Sequence, residues 1–214
     1  MGHERAVRIE AAGAVLAADQ VIPDPARGVV LFAHGSGSSR RSPRNRMVAE
    51  RLQEAGFATV LADLLTAAED LRDAQTAELR FDIGMLAGRL VGIVDWLGTQ
   101  AATSGLPIGL FGASTGAAAA LVAAARRPAE VRAVVSRGGR PDLAGAALAQ
   151  VKAPTLLIVG GADSTVIGLN QKAAELLPAS THLHVIPGAS HLFPEPGALE
   201  EVADRAADWF AEHL

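Results

Sequence analysis

The sequence predicts an α/β fold, a mostly parallel sheet with helices on both faces. Three observations carry that expectation. From residue 28 onward, apolar runs of strand length alternate with stretches of helical spacing. The runs 28–34 (GVVLFAH) and 57–65 (FATVLADLL) are almost continuously apolar, as strands buried on both faces are. The stretch 106–127, LPIGLFGASTGAAAALVAAARR, reads as a short buried strand, an abrupt turn and an Ala-rich helix.

In chain order, 6–15 and 15–22 alternate loosely between polar and apolar residues, which predicts two antiparallel edge strands turning near Gly13. Pro23-Asp24-Pro25 is a connector, 28–34 a strand, and 35–39 a Gly/Ser loop. Residues 43–55 carry Met47, Val48, Leu52 and Ala55 on one side of a helix that Gly56 closes. The strand 57–65 leads into 66–76, which reads as a charged loop, and 77–97 has Leu79, Ile83, Leu86, Leu90, Ile93, Val94 and Leu97 at helical spacing. After the strand 108–111 and the helix from Thr115 come a strand at 131–136, a short helix at 142–150 and a strand at 154–159. A helix at 166–177 stopped by Pro178, a strand at 182–186 and a closing helix at 196–214 complete the pattern. No repeat, linker or inserted lid interrupts it, so 1–214 is expected to be one domain without a lid.

Composition narrows the classes. Apolar residues make up 50% of the 214, enough for one large core. With 19 Lys plus Arg against 23 Asp plus Glu, the formal charge of −4 gives no support to a nucleic-acid partner. There are no cysteines, which excludes disulfides, a thiol nucleophile and a thiolate metal site. The start, MGHERAVRIE, lacks the apolar run of a signal peptide, and Ala6 stands where myristoylation favours Ser or Thr. The glycines in the apolar run around Ser114 mark it as core and not a membrane span. The expected location is the cytoplasm, with no membrane partner. No pattern sets the oligomeric state.

The chemistry centres on Gly112-Ala113-Ser114-Thr115-Gly116, which fits the G-x-S-x-G nucleophile elbow. Small neighbours let a strained serine turn form, and the helix that follows aims free N–H groups back at it. A serine hydroxyl needs a base within reach and an acid that orients the base. Asp163 and His191 follow later strands, in the Ser…acid…His order of the elbow. The alternative role for Asp163 is a helix N-cap, which Ser164 or Thr165 can also fill, and Asp142 is the rival acid. For His191 the alternative is a surface turn. His182 and His184 share one strand face and read as half-exposed, without carboxylates at metal-ligand spacing. Neither a metal nor a cofactor is expected.

The oxyanion hole is expected from the Thr115 amide and from the Ser36 amide in His34-Gly35-Ser36-Gly37. The other reading of that loop, a nucleotide-binding G-x-G, is left incomplete by Ser38-Ser39-Arg40-Arg41. His34 and Gly35 border the loop and join Arg40, Arg137 and Arg140 as candidate substrate contacts. Arginines also stand at Arg41, Arg44, Arg46 and Arg80. A solvated face is the commoner reason for such a cluster, and a clamp on a carboxylate or phosphate is the functional one.

At LFAHGSG, GLFGASTG, APTLLIVGGAD and IPGASH the chain resembles the α/β-hydrolase superfamily, and within it the dienelactone hydrolase-like group, over roughly 28–213. The resemblance implies an eight-stranded sheet, nucleophile Ser114, acid Asp163, base His191 and oxyanion donors from Thr115 and Ser36. Dienelactone hydrolases proper use a cysteine nucleophile; serine here favours a general carboxylesterase or acyl hydrolase. The chain is also similar to hydrolase domains joined to phosphoribosyltransferase domains in some bacterial proteins. The expected activity is cofactor-free hydrolysis of small or soluble esters, some of them anionic, through an acyl-enzyme on Ser114. An acyltransferase on the same residues is the near alternative, and a non-catalytic binding or docking module of the same fold is the distant one.

Overall fold

A computed structural model describes residues 2–177 and 180–214. Eight strands form one sheet: β1 (Arg5–Ala11), β2 (Ala14–Val21), β3 (Val29–Ala33), β4 (Ala58–Ala62), β5 (Ile108–Ala113), β6 (Val131–Arg137), β7 (Thr155–Gly160) and β8 (Thr181–Ile186). Their spatial order is β1-β2-β4-β3-β5-β6-β7-β8. β2 runs antiparallel to both β1 and β4, and every other pairing is parallel. Ala12 and Gly13, both at positive φ, make the two-residue turn between β1 and β2. Only β1 of that pair lies at an edge; β2 is interior because it also pairs with β4, which corrects the expectation of two edge strands.

The helices are α1 (Pro43–Glu54), α2 (Ala67–Thr76), α3 (Ile83–Thr99), α4 (Thr115–Arg126), α5 (Ser164–Leu176) and α6 (Ala198–His213). Short 3₁₀ segments occupy Leu79–Phe81 and Pro141–Gln150, the latter kinked at Gly145. α3, α4 and the Pro141–Gln150 segment pack on one sheet face, around Leu31, Val60, Leu110 and Val134. α1 and α6 pack on the other, around Val30, Phe32, Phe111, Val135 and Ile158. Both faces of the central strands are thus covered, which is why 29–33 and 58–62 contain no polar alternation. The expected stop of α5 at Pro178 lies outside the described residues.

Residues 66–76 correct the expectation of a loop. They form α2, with Thr66 and Glu69 in a reciprocal capping box. The expected helix over 77–97 instead starts at Ile83, where the Asp82 side chain caps it, after the 3₁₀ turn. α2 buries only Asp73. It is anchored by polar contacts: Asp73 accepts from the Leu79 and Arg80 amides at 2.7 and 3.0 Å and from Arg80 Nε at 2.6 Å.

Candidate active site

The C-terminal ends of β3, β5, β6 and β7 and the loop after β8 converge on one rim of the sheet. At its centre Ser114 links β5 to α4 with φ 51° and ψ −121°. Left-handed backbone is unfavourable for a residue with a Cβ and persists only where its surroundings enforce it. The enforcement is visible. The Ser114 amide donates to Arg137 O at 3.2 Å, and Ser114 O accepts from the amides of Ala117 and Arg140, each at 3.1 Å. Two close approaches explain the flanking glycines. A methyl on Gly112 would overlap the Ala117 backbone, and one on Gly116 would overlap Ala33 O and stand 2.5 Å from His34 O. The elbow therefore needs both glycines for space, with Ser114 itself carrying the positive φ.

Asp163 and His191 are brought together by two parallel neighbours, β7 and β8. The loops beyond those strands are stitched by Gly161 N to Ile186 O at 2.8 Å and Ala162 N to Ala189 O at 2.9 Å. His191 Nδ1–H donates to Asp163 Oδ2 at 2.8 Å. The other carboxylate oxygen accepts from Val166 N at 3.3 Å and caps α5. Asp163 thus makes both contacts at once: one oxygen caps the helix and the other bonds the imidazole. With the proton on Nδ1, Nε2 keeps its lone pair. The His191 ring packs beside Gly138, whose missing methyl would lie 3.6 Å from His191 Cε1. Gly138 follows Arg137, the residue that receives the Ser114 amide, so the base and the serine border the same backbone turn.

Asp142 is engaged elsewhere, accepting from Arg140 Nε and Nη2 at 2.9 and 2.8 Å. His184 Nε2 lies 2.7 Å from Glu201, and His182 packs against Trp209 with ring centroids 5.3 Å apart. Among the described residues no group of three or more His, Asp or Glu is arranged to hold a metal ion.

The His34–Gly37 loop lies against the elbow, with Gly35 close to Ser114 Cβ. Its details differ from expectation. The Ser36 amide is already used: it donates to Thr115 Oγ1 at 2.9 Å. The Thr115 amide, first in α4, has no carbonyl in its own helix to meet. His34 supports the loop. Its Nε2 accepts from Leu64 N at 3.0 Å, so its proton sits on Nδ1, which donates to Gly35 O at 2.9 Å. Burial lowers the His34 pKa and keeps the ring neutral, against smaller raising effects from the Gly35 hydrogen bond, Asp63 and Asp70.

That support extends to α2. Leu64 O accepts from Arg89 Nη1 at 2.5 Å, and Arg89 grips Glu69 through both terminal nitrogens at 2.7 and 2.5 Å. The Arg89 hydrogen bond, helped by Thr66, lowers the Glu69 carboxyl to about 2 against the opposing effect of burial. A depressed folded-state pKa stabilises above the unfolded value and is lost as pH falls through the folded one. The ion pair should therefore weaken between about 4.5 and about 2. Glu69→Gln is expected to destabilise by about 2 kcal/mol at neutral pH, because Arg89 is buried and would lose its counter-charge. Thermal melts should show the gap between variant and parent closing through that acid window. A gap independent of pH would contradict it.

The arginines separate into two kinds. Arg40 bonds Asp63 through its amide, at 2.7 Å, and through its side chain, and its Nε lies 3.3 Å from Asp19. Arg140 is held by Asp142. Both are thus neutralised locally by carboxylates. Arg137 is different. It is 6% exposed, and among the described residues its one side-chain hydrogen bond is from Nη2 to Asn45 Oδ1 at 3.3 Å. Its buried Nε has no hydrogen-bond partner among them. Its guanidinium lies 6.0 Å from the centre of the Phe193 ring. Burial, with the Arg44 charge adding to it, lowers its pKa to about 10. Asn45 and Phe193 carried no signal in the sequence; neither belongs to a motif. A depression of about 810 Å³ lined by Val94, Leu106, Ile108 and Glu130 opens at the opposite end of β5 and contributes nothing here.

Comparison with known proteins agrees with this architecture. A crystal structure of a dienelactone hydrolase from Anabaena variabilis is 60% identical, covering 100% of this chain and 99% of that one, with a TM-score of 0.98. A Mycobacterium tuberculosis protein, Rv0571c, whose proposed name is phosphoribosyl transferase, is 56% identical over 212 residues, 99% of this chain. The chain spans 47% of that relative's length. Est1E from Butyrivibrio proteoclasticus shares the fold at 17% identity, with a TM-score of 0.80 over 99% of this chain and 98% of the other. The family model for dienelactone hydrolases matches residues 12–214, from the β1–β2 turn through α6. A match of that extent, on a sheet of this architecture, shows that the chain belongs to the dienelactone hydrolase family.

Proposed function

We propose that the chain is a serine hydrolase acting on carboxylic esters through an acyl-enzyme. Ser114 Oγ attacks the ester carbonyl while its proton passes to His191 Nε2. Asp163 holds the opposite imidazole proton and stabilises the imidazolium. The Thr115 amide, at the start of α4, donates to the oxyanion. The Ser36 amide joins it by turning from Thr115 Oγ1 or by sharing its proton. As the C–O bond breaks, His191 returns the proton to the departing alkoxide, and water activated by His191 then releases the acid. The single observation that carries the reading is the 2.8 Å Asp163–His191 bond, which leaves Nε2 as a base on the rim that bears Ser114.

The phosphoribosyl transferase name belongs to relatives about twice as long. The half matched here aligns with a chain that holds Ser114, Asp163 and His191 on one rim, which supports assigning hydrolysis to this chain. A fluorophosphonate probe tests the assignment. Intact-mass analysis should show one adduct, which peptide mapping places on Ser114. An unlabelled active-site peptide in the folded protein would sink it.

A further inference from the structure

Most arginines of this rim and of the neighbouring helices have a carboxylate. Arg40 has Asp63 and Asp19, Arg46 has Glu4 and Asp19, Arg80 has Asp73, Arg89 has Glu69, and Arg140 has Asp142. Arg137 and Arg44 have none among the described residues; each keeps a buried Nε without a hydrogen-bond partner there, as Arg40 and Arg89 also do, but without the carboxylate that those two have. They are close enough for the Arg44 charge to act on Arg137. A buried guanidinium is ordinarily matched by an acid, because desolvating an unpaired cation is costly. Here a buried one, Arg137, and a half-buried one, Arg44, stand at the wrong end of a helix. Arg44 lies in the first turn of α1, and Arg137 reaches that turn through Asn45. Helix N-termini carry partial positive charge and repel cations. The three sources of positive potential thus reinforce one another.

We infer that Arg137, Arg44 and the first turn of α1 form a phosphoryl-binding subsite beside Ser114, filled by a phosphate group on the ester substrate. Charge selects the ligand class: two guanidinium groups and a helix N-terminus match a dianion, whereas one carboxylate would leave a cation unpaired. Position selects its source. Arg137 immediately precedes the Gly138 turn that touches His191, and its carbonyl holds the Ser114 amide, so a group bound there is attached close to the reacting ester. Arg44 is only half-buried, which gives the subsite an outer wall at the surface.

The assignment of the phosphate to a substrate rests on the hydrolase reading; the anion site itself does not. Thermal melts with inorganic phosphate, at ionic strength matched with chloride, test the site in the wild type, Arg44→Gln and Arg137→Met. At about ten times the dissociation constant, the wild-type Tm should rise by roughly 3–6 °C, and both variants should lose the rise. Without phosphate, Arg137→Met should melt no lower than the wild type, since it removes an unpaired buried charge. No phosphate-dependent rise in the wild type, or a rise kept by both variants, would overturn the site. Kinetics on a phosphorylated ester and its hydroxyl counterpart test the source. The kcat/KM preference for the phosphorylated ester should fall by roughly tenfold or more in each variant. A wild type without that preference would overturn the substrate assignment, leaving free phosphate as the ligand. Loss of fluorophosphonate labelling with the phosphate rise intact would instead fault the hydrolase reading alone.

Discussion

Ser114→Gly is expected to abolish ester hydrolysis and stabilise the protein at the same time. Removing a serine nucleophile lowers kcat on the order of 10⁶-fold, because the base and the oxyanion donors act through it. The stability gain comes from the backbone. At φ 51° and ψ −121° Ser114 occupies a region that glycine enters freely and other residues do not. Such a residue stores about 1–3 kcal/mol, and glycine's extra freedom in the unfolded chain returns about 0.4–1 kcal/mol of that. The net gain is about 1 kcal/mol, or roughly 2–4 °C in Tm for a chain of this size. Ser114→Ala separates the two effects, since it loses the same oxygen and keeps the strain. Thermal melts of both variants beside their hydrolysis rates make the comparison. If Ser114→Gly melts below Ser114→Ala, the strain at the elbow is not what holds the serine forward.

That strain was partly legible in the sequence. Glycines two before and two after a serine, between an apolar run and an Ala-rich helix, are the local signature of a strand and helix crossing at close range. The structure adds what they avoid, the Ala117 backbone and the carbonyls of Ala33 and His34. The central strands were legible for a related reason. Burial on both faces leaves no alternating polar positions in 29–33 or 58–62, where Thr59 is the lone polar side chain, so composition marks them. α2 was not, because it turns no apolar stripe to the core. Its anchors are Glu69 to Arg89 and Asp73 to Arg80, and helical periodicity does not register charges. Thr66 followed by Glu69 was the one available signal, a capping box in what read as a charged loop.

The site divides along the same line. Residues whose roles depend on strand ends were readable, since parallel strands deliver their C-terminal loops to one rim. Side-chain partners that depend on distant packing were not. Nothing in the order of residues shows that Arg40 meets Asp63 and Asp19, that Arg137 meets Asn45 across 92 positions, or that the Thr115 hydroxyl takes the Ser36 amide. Of the three arginines expected at an anion clamp, Arg137 alone lacks a carboxylate partner among the described residues, and Arg44, whose charge acts on it, stood in the sequence as one of a run.

Asp163→Asn is expected to separate the two duties that one carboxylate performs. Asparagine caps helices about as well as aspartate, so the Val166 amide keeps an acceptor and stability should change by less than about 0.5 kcal/mol. Facing His191, however, the amide group can present its NH₂ to Nδ1. The imidazole proton then moves to Nε2, where the Ser114 proton would have to go. The wrong tautomer should lower kcat on the order of 10⁴-fold. The amide's oxygen and nitrogen compete for the two positions, and the cap decides between them: the oxygen turned to Val166 leaves the nitrogen for the histidine. Asp163→Ala removes both duties, so it should lose comparable activity and a further ~1 kcal/mol of stability from the uncapped helix. Parallel kinetics and melts on the two variants read the duties independently. An Asp163→Asn enzyme within about tenfold of the wild type would mean that the 2.8 Å bond to His191 positions the ring without setting its tautomer.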